Sequence, residues 1–138
     1  MMKAQMNGTS TESLTILVAD DEDEIRTLLT HWLERVGHRI DCAASGQEAS
    51  RLLRQKSFDM VITDVVMPDG DGYELIAEVR RLQPRSRIVA ISGGGKYLQG
   101  ADCLKIARGL GAHSVVMKPF NWEQLQTGMI SAAGTLTA

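Results

Sequence analysis

Short apolar runs alternate along this chain with longer segments whose apolar residues recur at helical spacing. The first run, LTILVA, is apolar almost throughout, which is typical of a strand buried on both faces of a parallel sheet. In the next segment the apolar residues, of which Val36 is the last, fall on one face of a predicted helix, and Gly37 ends this helix. Continued along the chain, the pattern predicts strands over 14–19, 38–44, 58–64, 86–92 and 112–118. It predicts helices over 24–36, 45–56, 72–82, 101–111 and 121–133.

Five strand–helix units in succession predict an α/β fold, with a doubly wound five-stranded parallel sheet. Right-handed crossovers then place helices on both faces of the sheet. A length of 138 residues suits one domain. We expect a disordered polar tail over residues 1–13, the domain over 14–134 and a short second tail over 135–138.

The net charge and the distribution of apolar residues argue against nucleic acid and membranes as partners. The net charge of −2 gives no electrostatic argument for binding nucleic acid or an anionic membrane surface. No apolar run approaches the roughly 20 residues that a membrane helix needs, and the polar start lacks the apolar segment of a signal peptide. Cys42 and Cys103 lack metal-type spacing and are expected to be small buried hydrophobes. Reduced thiols without an export signal predict a cytoplasmic location.

Polar residues stand where four of the five predicted strands end. Ligands of doubly wound sheets bind beyond the carboxyl ends of the strands, so these positions are the candidates for function. They are Asp20 and Asp21 after the first strand, Asp64 on the third, Ser92 on the fourth and Lys118 on the fifth. The acids at 22–24 are expected to begin the first helix, where the macrodipole favours negative charge.

This set of groups has a coherent chemistry. Clustered carboxylates repel one another until a cation lies between them, and all-oxygen ligation favours Mg²⁺ or Mn²⁺. An ionised aspartate beside such a metal can act as a nucleophile toward phosphorus, giving an aspartyl phosphate. A lysine ammonium and a serine hydroxyl can then neutralise the phosphoryl oxygens and hydrogen-bond to them. Asp20 and Asp21 are therefore predicted to hold a divalent metal.

Four segments resemble the receiver domain of two-component response regulators, the CheY-like or flavodoxin-like (βα)5 fold. They are VADDEDE, DMVITDVVMPDGDGYEL, AIS and VVMKPF, and the resemblance runs from about Leu14 to Ala133. It implies that Asp64 accepts a phosphoryl group from a histidine kinase, a histidine phosphotransfer protein or a small phosphodonor. The chain would then be a signalling module and not an enzyme, limited to its own phosphorylation and slow dephosphorylation.

The resemblance also implies roles for the other strand-end residues. Asp21 and Asp64 would ligate Mg²⁺ directly, together with the backbone carbonyl of Val66, while Asp20 would act mostly through water. Ser92 and Lys118 would contact the phosphoryl oxygens. The family typically has a cis peptide bond between this lysine and the following proline, which aims the lysine.

Two positions depart from the common pattern of the family. Val115 replaces a Tyr or Phe that turns inward on activation in many relatives, and Val66 lies where polar side chains are frequent. We therefore expect Ser92 to transmit the switch through residues 93–100, with Val115 keeping its rotamer. The expected surface for a separate downstream protein is formed by the predicted fourth helix, fifth strand and fifth helix. Only GTLTA follows the last predicted helix, which favours a stand-alone receiver.

Other functions remain open at this stage. A phosphatase of the haloacid-dehalogenase type also uses an aspartate nucleophile, a lysine and Mg²⁺, but needs further acids after the lysine. Here only Glu123 follows Lys118. A phosphorelay intermediate, which passes the phosphoryl group onward, is a second alternative. A degenerate receiver used only as a scaffold is disfavoured because all five site positions are filled.

Overall fold

The computed structural model describes residues 13–67, 72–93, 105 and 108–134. Five strands form one parallel sheet: β1 (Thr15–Ala19), β2 (Arg39–Ala43), β3 (Met60–Asp64), β4 (Arg87–Ser92) and β5 (Ser114–Met117). Helices follow the first three strands and the last one: α1 (Asp23–Arg35), α2 (Gly46–Gln55), α3 (Gly72–Leu82) and the C-terminal helix (Trp122–Gly134). Of the helix predicted over 101–111, residues 105 and 108–110 are helical. Gly111, the last residue of that prediction, lies in a turn. Residues 101–104, which include Cys103, residues 106–107 and the tails at 1–12 and 135–138 lie outside the described residues.

The strand order is β2-β1-β3-β4-β5, so the chain reverses its direction of winding between β1 and β3. The register pairs Ala19 of β1 with Thr63 of β3, and the next residues of the two strands are Asp20 and Asp64. The switch point of the sheet therefore places two of the predicted carboxylates side by side.

Side chains alternate between two apolar layers on either face of the sheet. Leu17 and Ala19 of β1 point into the layer covered by α2 and α3, whereas Ile16 and Val18 point into the layer covered by α1 and the C-terminal helix. All four side chains are fully buried, as expected for a strand with helices on both of its faces. The predicted fold class is confirmed.

Two details differ from the sequence-based expectation. Val36, predicted on the buried face of the first helix, is 52% exposed, because α1 ends at Arg35 and the Val36 cap has left the helical conformation. Cys42 is only partly buried, and its sulfur lies 3.1 Å from the hydroxyl of Thr30. No helix within the described ranges combines the length and the apolar character needed to cross a bilayer.

Candidate functional site

Three aspartates meet at the carboxyl end of β1 and β3. One carboxylate oxygen of each of Asp20, Asp21 and Asp64 lies within 4.8 Å of the others. Asp20 and Asp64 are buried, whereas Asp21 is exposed at the mouth of the cluster. Three carboxylates at such distances repel one another, and a divalent cation with oxygen ligands is the group that would relieve this repulsion.

Asp64 is the last residue of β3 and its side chain is anchored at both oxygens. Oδ1 accepts a hydrogen bond from the backbone N–H of Val66 at 3.1 Å, and Oδ2 accepts one from the ammonium of Lys118 at 3.0 Å. The residue is 6% exposed. Burial raises the pKa of the Asp64 carboxyl above its ordinary value of 3.8, against the opposing effects of the Val66 hydrogen bond and the Lys118 charge.

Asp20 is fully buried and only half satisfied. Its Oδ1 accepts the backbone N–H of Glu22 at 2.9 Å, but its Oδ2 accepts no hydrogen bond from the described residues, although the Lys118 ammonium lies 3.2 Å away. Burial raises the pKa of the Asp20 carboxyl, and the neighbouring Asp64 adds to the effect. Because this buried oxygen has only the shared ammonium of Lys118 near it as a partner among the described residues, it is a suitable ligand for a hard divalent cation. On this ground the donor set fits Mg²⁺ or Mn²⁺.

Lys118 lies among the carboxylates and follows β5 directly. Its ammonium is 2.7 Å from Glu22, 3.0 Å from Asp64 and 3.2 Å from Asp20. Burial opposes the charge, but the hydrogen bond to Glu22 and the negative charge of Asp64 outweigh burial and raise the pKa of the lysine. Lys118 is therefore a permanent cation of the site over the physiological pH range.

The backbone of β4 positions the lysine. The N–H of Lys118 donates to the carbonyl of Ser92 at 2.8 Å, which brings the predicted hydroxyl and amine to the same rim as the aspartates. Ser92 is fully buried. The peptide bond between Lys118 and Pro119 is cis.

Glu22 is a site residue that the sequence analysis missed. The pattern assigned it only to the start of the first helix, and its backbone is indeed the N-cap of α1. Its carboxylate also accepts the shortest hydrogen bond made by the ammonium of Lys118. A run of five acids was a signal of this second role, because helix capping alone does not require so many charges.

Arg26 and Gly72 also shape the site. Arg26 donates to the backbone carbonyl of Asp20 at 2.8 Å, which fixes the turn between β1 and α1. It also pairs with the exposed side chain of Asp23. At Gly72 an added Cβ would lie 1.9 Å from the carbonyl oxygen of Asp64. Only glycine permits α3 to begin so close to the end of β3. The DVVMPDGDG motif contained this glycine, but its spacing alone did not explain why glycine is required there.

The two departures from the family pattern lie at different depths. Val66 is 57% exposed beside Asp64 and presents an apolar surface at the mouth of the site. Val115 is half-buried and packs against the apolar layer of α2 and α3. Val115 also helps to line an open groove between β5 and the C-terminal helix, together with Met117 and Thr127, with a volume of about 790 Å³.

A family model for the response regulator receiver domain matches residues 16–129. The DNA-binding transcriptional regulator NtrC of Azospirillum brasilense is 36% identical over 111 residues, which cover 80% of this chain and 22% of NtrC. Response regulator GtcR of Aneurinibacillus migulanus is 40% identical over 109 residues, which cover 79% of this chain and 43% of GtcR. The chain thus spans less than half the length of these two relatives.

The solved structures agree with the sequence matches. Chemotaxis response regulator CheY4 of Vibrio cholerae superposes with a TM-score of 0.76 at 28% identity, over 86% of this chain and 97% of CheY4. The family assignment thus rests on the sequence match. The strand order β2-β1-β3-β4-β5 and the three aspartates at its switch point agree with it. The chain belongs to the response regulator receiver domain family of two-component signalling systems.

Proposed function

We propose that this protein is a phosphorylation-activated receiver in which Asp64 accepts a phosphoryl group in a Mg²⁺-dependent reaction. The observation that carries the proposal is the position of the Asp64 carboxylate. It lies within 4.8 Å of two further carboxylates and 3.0 Å from the ammonium of Lys118. A nucleophilic carboxylate, a place for a metal and a fixed cation are the parts that phosphoryl transfer to aspartate needs.

The reaction follows from these groups. A carboxylate oxygen of Asp64 attacks the phosphorus, the bond between phosphorus and the donor's leaving atom breaks, and the leaving group carries away its electron pair. With a phosphohistidine donor, the leaving imidazole nitrogen takes up a proton from solvent. Lys118 compensates the charge on the transferred phosphoryl oxygens, and Ser92 offers its hydroxyl to them. When bound by Asp20, Asp21, Asp64 and the Val66 carbonyl, Mg²⁺ supplies further neutralisation of that charge.

The protein phosphorylated at Asp64 would act by binding a partner protein more or less tightly than the unphosphorylated form does. We propose a histidine kinase or histidine phosphotransfer protein as donor and a separate protein as target, on the surface of the predicted fourth helix, β5 and the C-terminal helix. The exposed side chains of Met117 and Ile130 and the groove along β5 support this choice. Such a kinase-coupled role corresponds to a cytoplasmic location.

Ser92 and Val115 are the proposed switch residues. Residues 94–100, which would carry the movement of Ser92, lie outside the described residues. Val115 is β-branched and short, so it cannot swing into the site in the manner of an aromatic side chain. Transmission through the backbone that follows Ser92 is the remaining route.

Intact-mass spectrometry tests the proposal. Wild-type protein incubated with acetyl phosphate and Mg²⁺ should gain one phosphoryl group, and Asp64→Asn should gain none. Asp23→Asn is the matched control, because Asp23 pairs with Arg26 outside the cluster and should leave labelling unchanged. Excess chelator should stop labelling of the wild type. A labelled Asp64→Asn protein would remove Asp64 as the acceptor, and turnover of generic phosphate esters would favour the phosphatase alternative.

A further inference from the structure

The ammonium of Lys118 and the proposed metal share two partners. Lys118 contacts Oδ2 of Asp64 at 3.0 Å and Oδ2 of Asp20 at 3.2 Å. Both aspartates belong to the cluster of three that fits a divalent cation. A metal in this cluster would draw on the same carboxylates and would repel the lysine, because both are positively charged. Without a further anion, the two cations would compete for one site.

Glu22 is placed to prevent this competition. Its carboxylate is the nearest partner of Lys118, at 2.7 Å, and it is not a member of the aspartate cluster. Its backbone is fixed, since its N–H donates to Asp20 Oδ1 and its carbonyl accepts the N–H of Arg26. The side chain is half exposed and extends from the start of α1 to the end of β5.

We propose that Glu22 is a positioning residue that keeps the Lys118 ammonium at the site when a divalent cation occupies the three aspartates. This inference rests on the proposed function, because it assigns Glu22 a part in metal-dependent phosphorylation. Glu22 supplies the lysine with an anion of its own, so that Asp20 and Asp64 are left to the metal. The lysine then stays within reach of the phosphoryl oxygens and does not have to be displaced first.

Glu22→Gln tests the proposal through metal binding, measured by isothermal titration of Mg²⁺ into chelator-treated protein. In the variant, Lys118 depends on Asp64 and Asp20 alone and competes with the metal for their oxygens. We expect the Kd for Mg²⁺ to rise by about fivefold or more. The initial rate of labelling by acetyl phosphate at saturating Mg²⁺ should also fall, because the ammonium is no longer held beside the phosphoryl group.

Two controls separate positioning from the loss of a charge. Asp23→Asn removes the same charge one residue further on, where the partner is Arg26, and should change the Kd by less than about twofold. In a Lys118→Gln background, Glu22→Gln should also change the Kd by less than about twofold, because the cation that Glu22 holds is gone. Thermal melts in chelator verify that each variant is folded.

The outcomes are distinct. Equal effects of Glu22→Gln with and without Lys118, or equal effects of Glu22→Gln and Asp23→Asn, would show that Glu22 acts only as a bulk charge and would overturn the inference. If the wild type takes up no phosphoryl group while the Mg²⁺ titrations show the coupling between Glu22 and Lys118, the proposed function fails and the inference about the lysine stands.

Discussion

Replacing Asp20 by asparagine should stabilise the metal-free protein. Asp20 is fully buried, and one of its oxygens accepts no hydrogen bond from the described residues. Asparagine has nearly the same shape and retains an oxygen that can accept the N–H of Glu22, which now bonds to Asp20 Oδ1. The substitution therefore removes mainly the charge.

The charges around Asp20 nearly balance, so its burial decides the sign. At an effective dielectric constant near 20, a like charge within 4.8 Å repels by about 3.5 kcal/mol or more, and an opposite charge at 3.2 Å attracts by about 5 kcal/mol. Asp64 supplies the first contribution and Lys118 the second, while exposed Asp21 adds a smaller, screened repulsion. Removing the carboxylate from water costs several kcal/mol, and the stronger hydrogen bond that a charged oxygen accepts from the Glu22 N–H returns about 1 kcal/mol relative to the asparagine oxygen. We expect a net gain of about 1–2 kcal/mol for Asp20→Asn.

The gain should depend on pH in a definite direction. The pKa of Asp20 is raised above 3.8 in the folded protein, first by burial. The stability that protonated Asp20 contributes is therefore fully present below its pKa in the unfolded chain. This stability is lost as pH rises through the pKa of Asp20 in the folded protein. The advantage of the asparagine variant should be smallest below pH 3.8, where the wild-type side chain is mostly protonated in the folded protein, and should grow toward neutral pH.

Thermal melts in chelator at pH 7 provide the assay. A gain of 1–2 kcal/mol corresponds to a rise in Tm of about 4–8 °C for a domain of this size. Excess Mg²⁺ should shrink or reverse the difference, because it stabilises the wild-type cluster by mass action. Asp23→Asn, which loses a surface ion pair with Arg26, should not raise the Tm. An unchanged or lower Tm of Asp20→Asn in chelator would show that the buried charge of Asp20 does not destabilise the metal-free protein.

Two further predictions concern the frame that holds the site. Gly72→Ala should lower the free energy of unfolding, measured by urea denaturation, by about 1–3 kcal/mol or more, because the new Cβ would lie 1.9 Å from the carbonyl oxygen of Asp64. Gly109→Ala is the control and should leave the free energy of unfolding unchanged, because no atom lies within 4 Å of its new Cβ. Gln83→Met should cost about 2–3 kcal/mol, because the amide of Gln83 donates to two carbonyls at the end of α2 and accepts the N–H just before β3. Gln55→Met, on an exposed residue, is its control, and equal midpoints for the two variants would contradict this account.

The polar residues at the rim of the sheet were predictable, because the ends of the strands can be read from the ends of the apolar runs. Asp64 and Ser92 are the last residues of β3 and β4, as the pattern predicted. Asp20 and Lys118 directly follow β1 and β5. Parallel strands in a doubly wound sheet bring such ends to one edge, so the grouping needed no knowledge of side-chain positions.

The partners of Lys118 were beyond the reach of the sequence. β5 is separated from β1 by two other strands, so nothing in the pattern indicates that a residue after β5 contacts Glu22 after β1. The contact depends on the length of the lysine stem and on the direction in which the chain leaves β5. Periodicity also failed at Val36, because an apolar residue continues the pattern one position beyond the end of α1.

Chemical mapping of the modified residue can decide whether Asp64 is the phosphoryl acceptor. Protein phosphorylated with acetyl phosphate and Mg²⁺ is reduced with borohydride, which converts an aspartyl phosphate to homoserine, and is then digested and sequenced by tandem mass spectrometry. We expect homoserine at position 64, at no more than one per chain, and none in a sample treated with chelator. Homoserine at position 20 or 21, or none at position 64 in a sample whose intact mass carries the phosphoryl group, would exclude Asp64 as the acceptor.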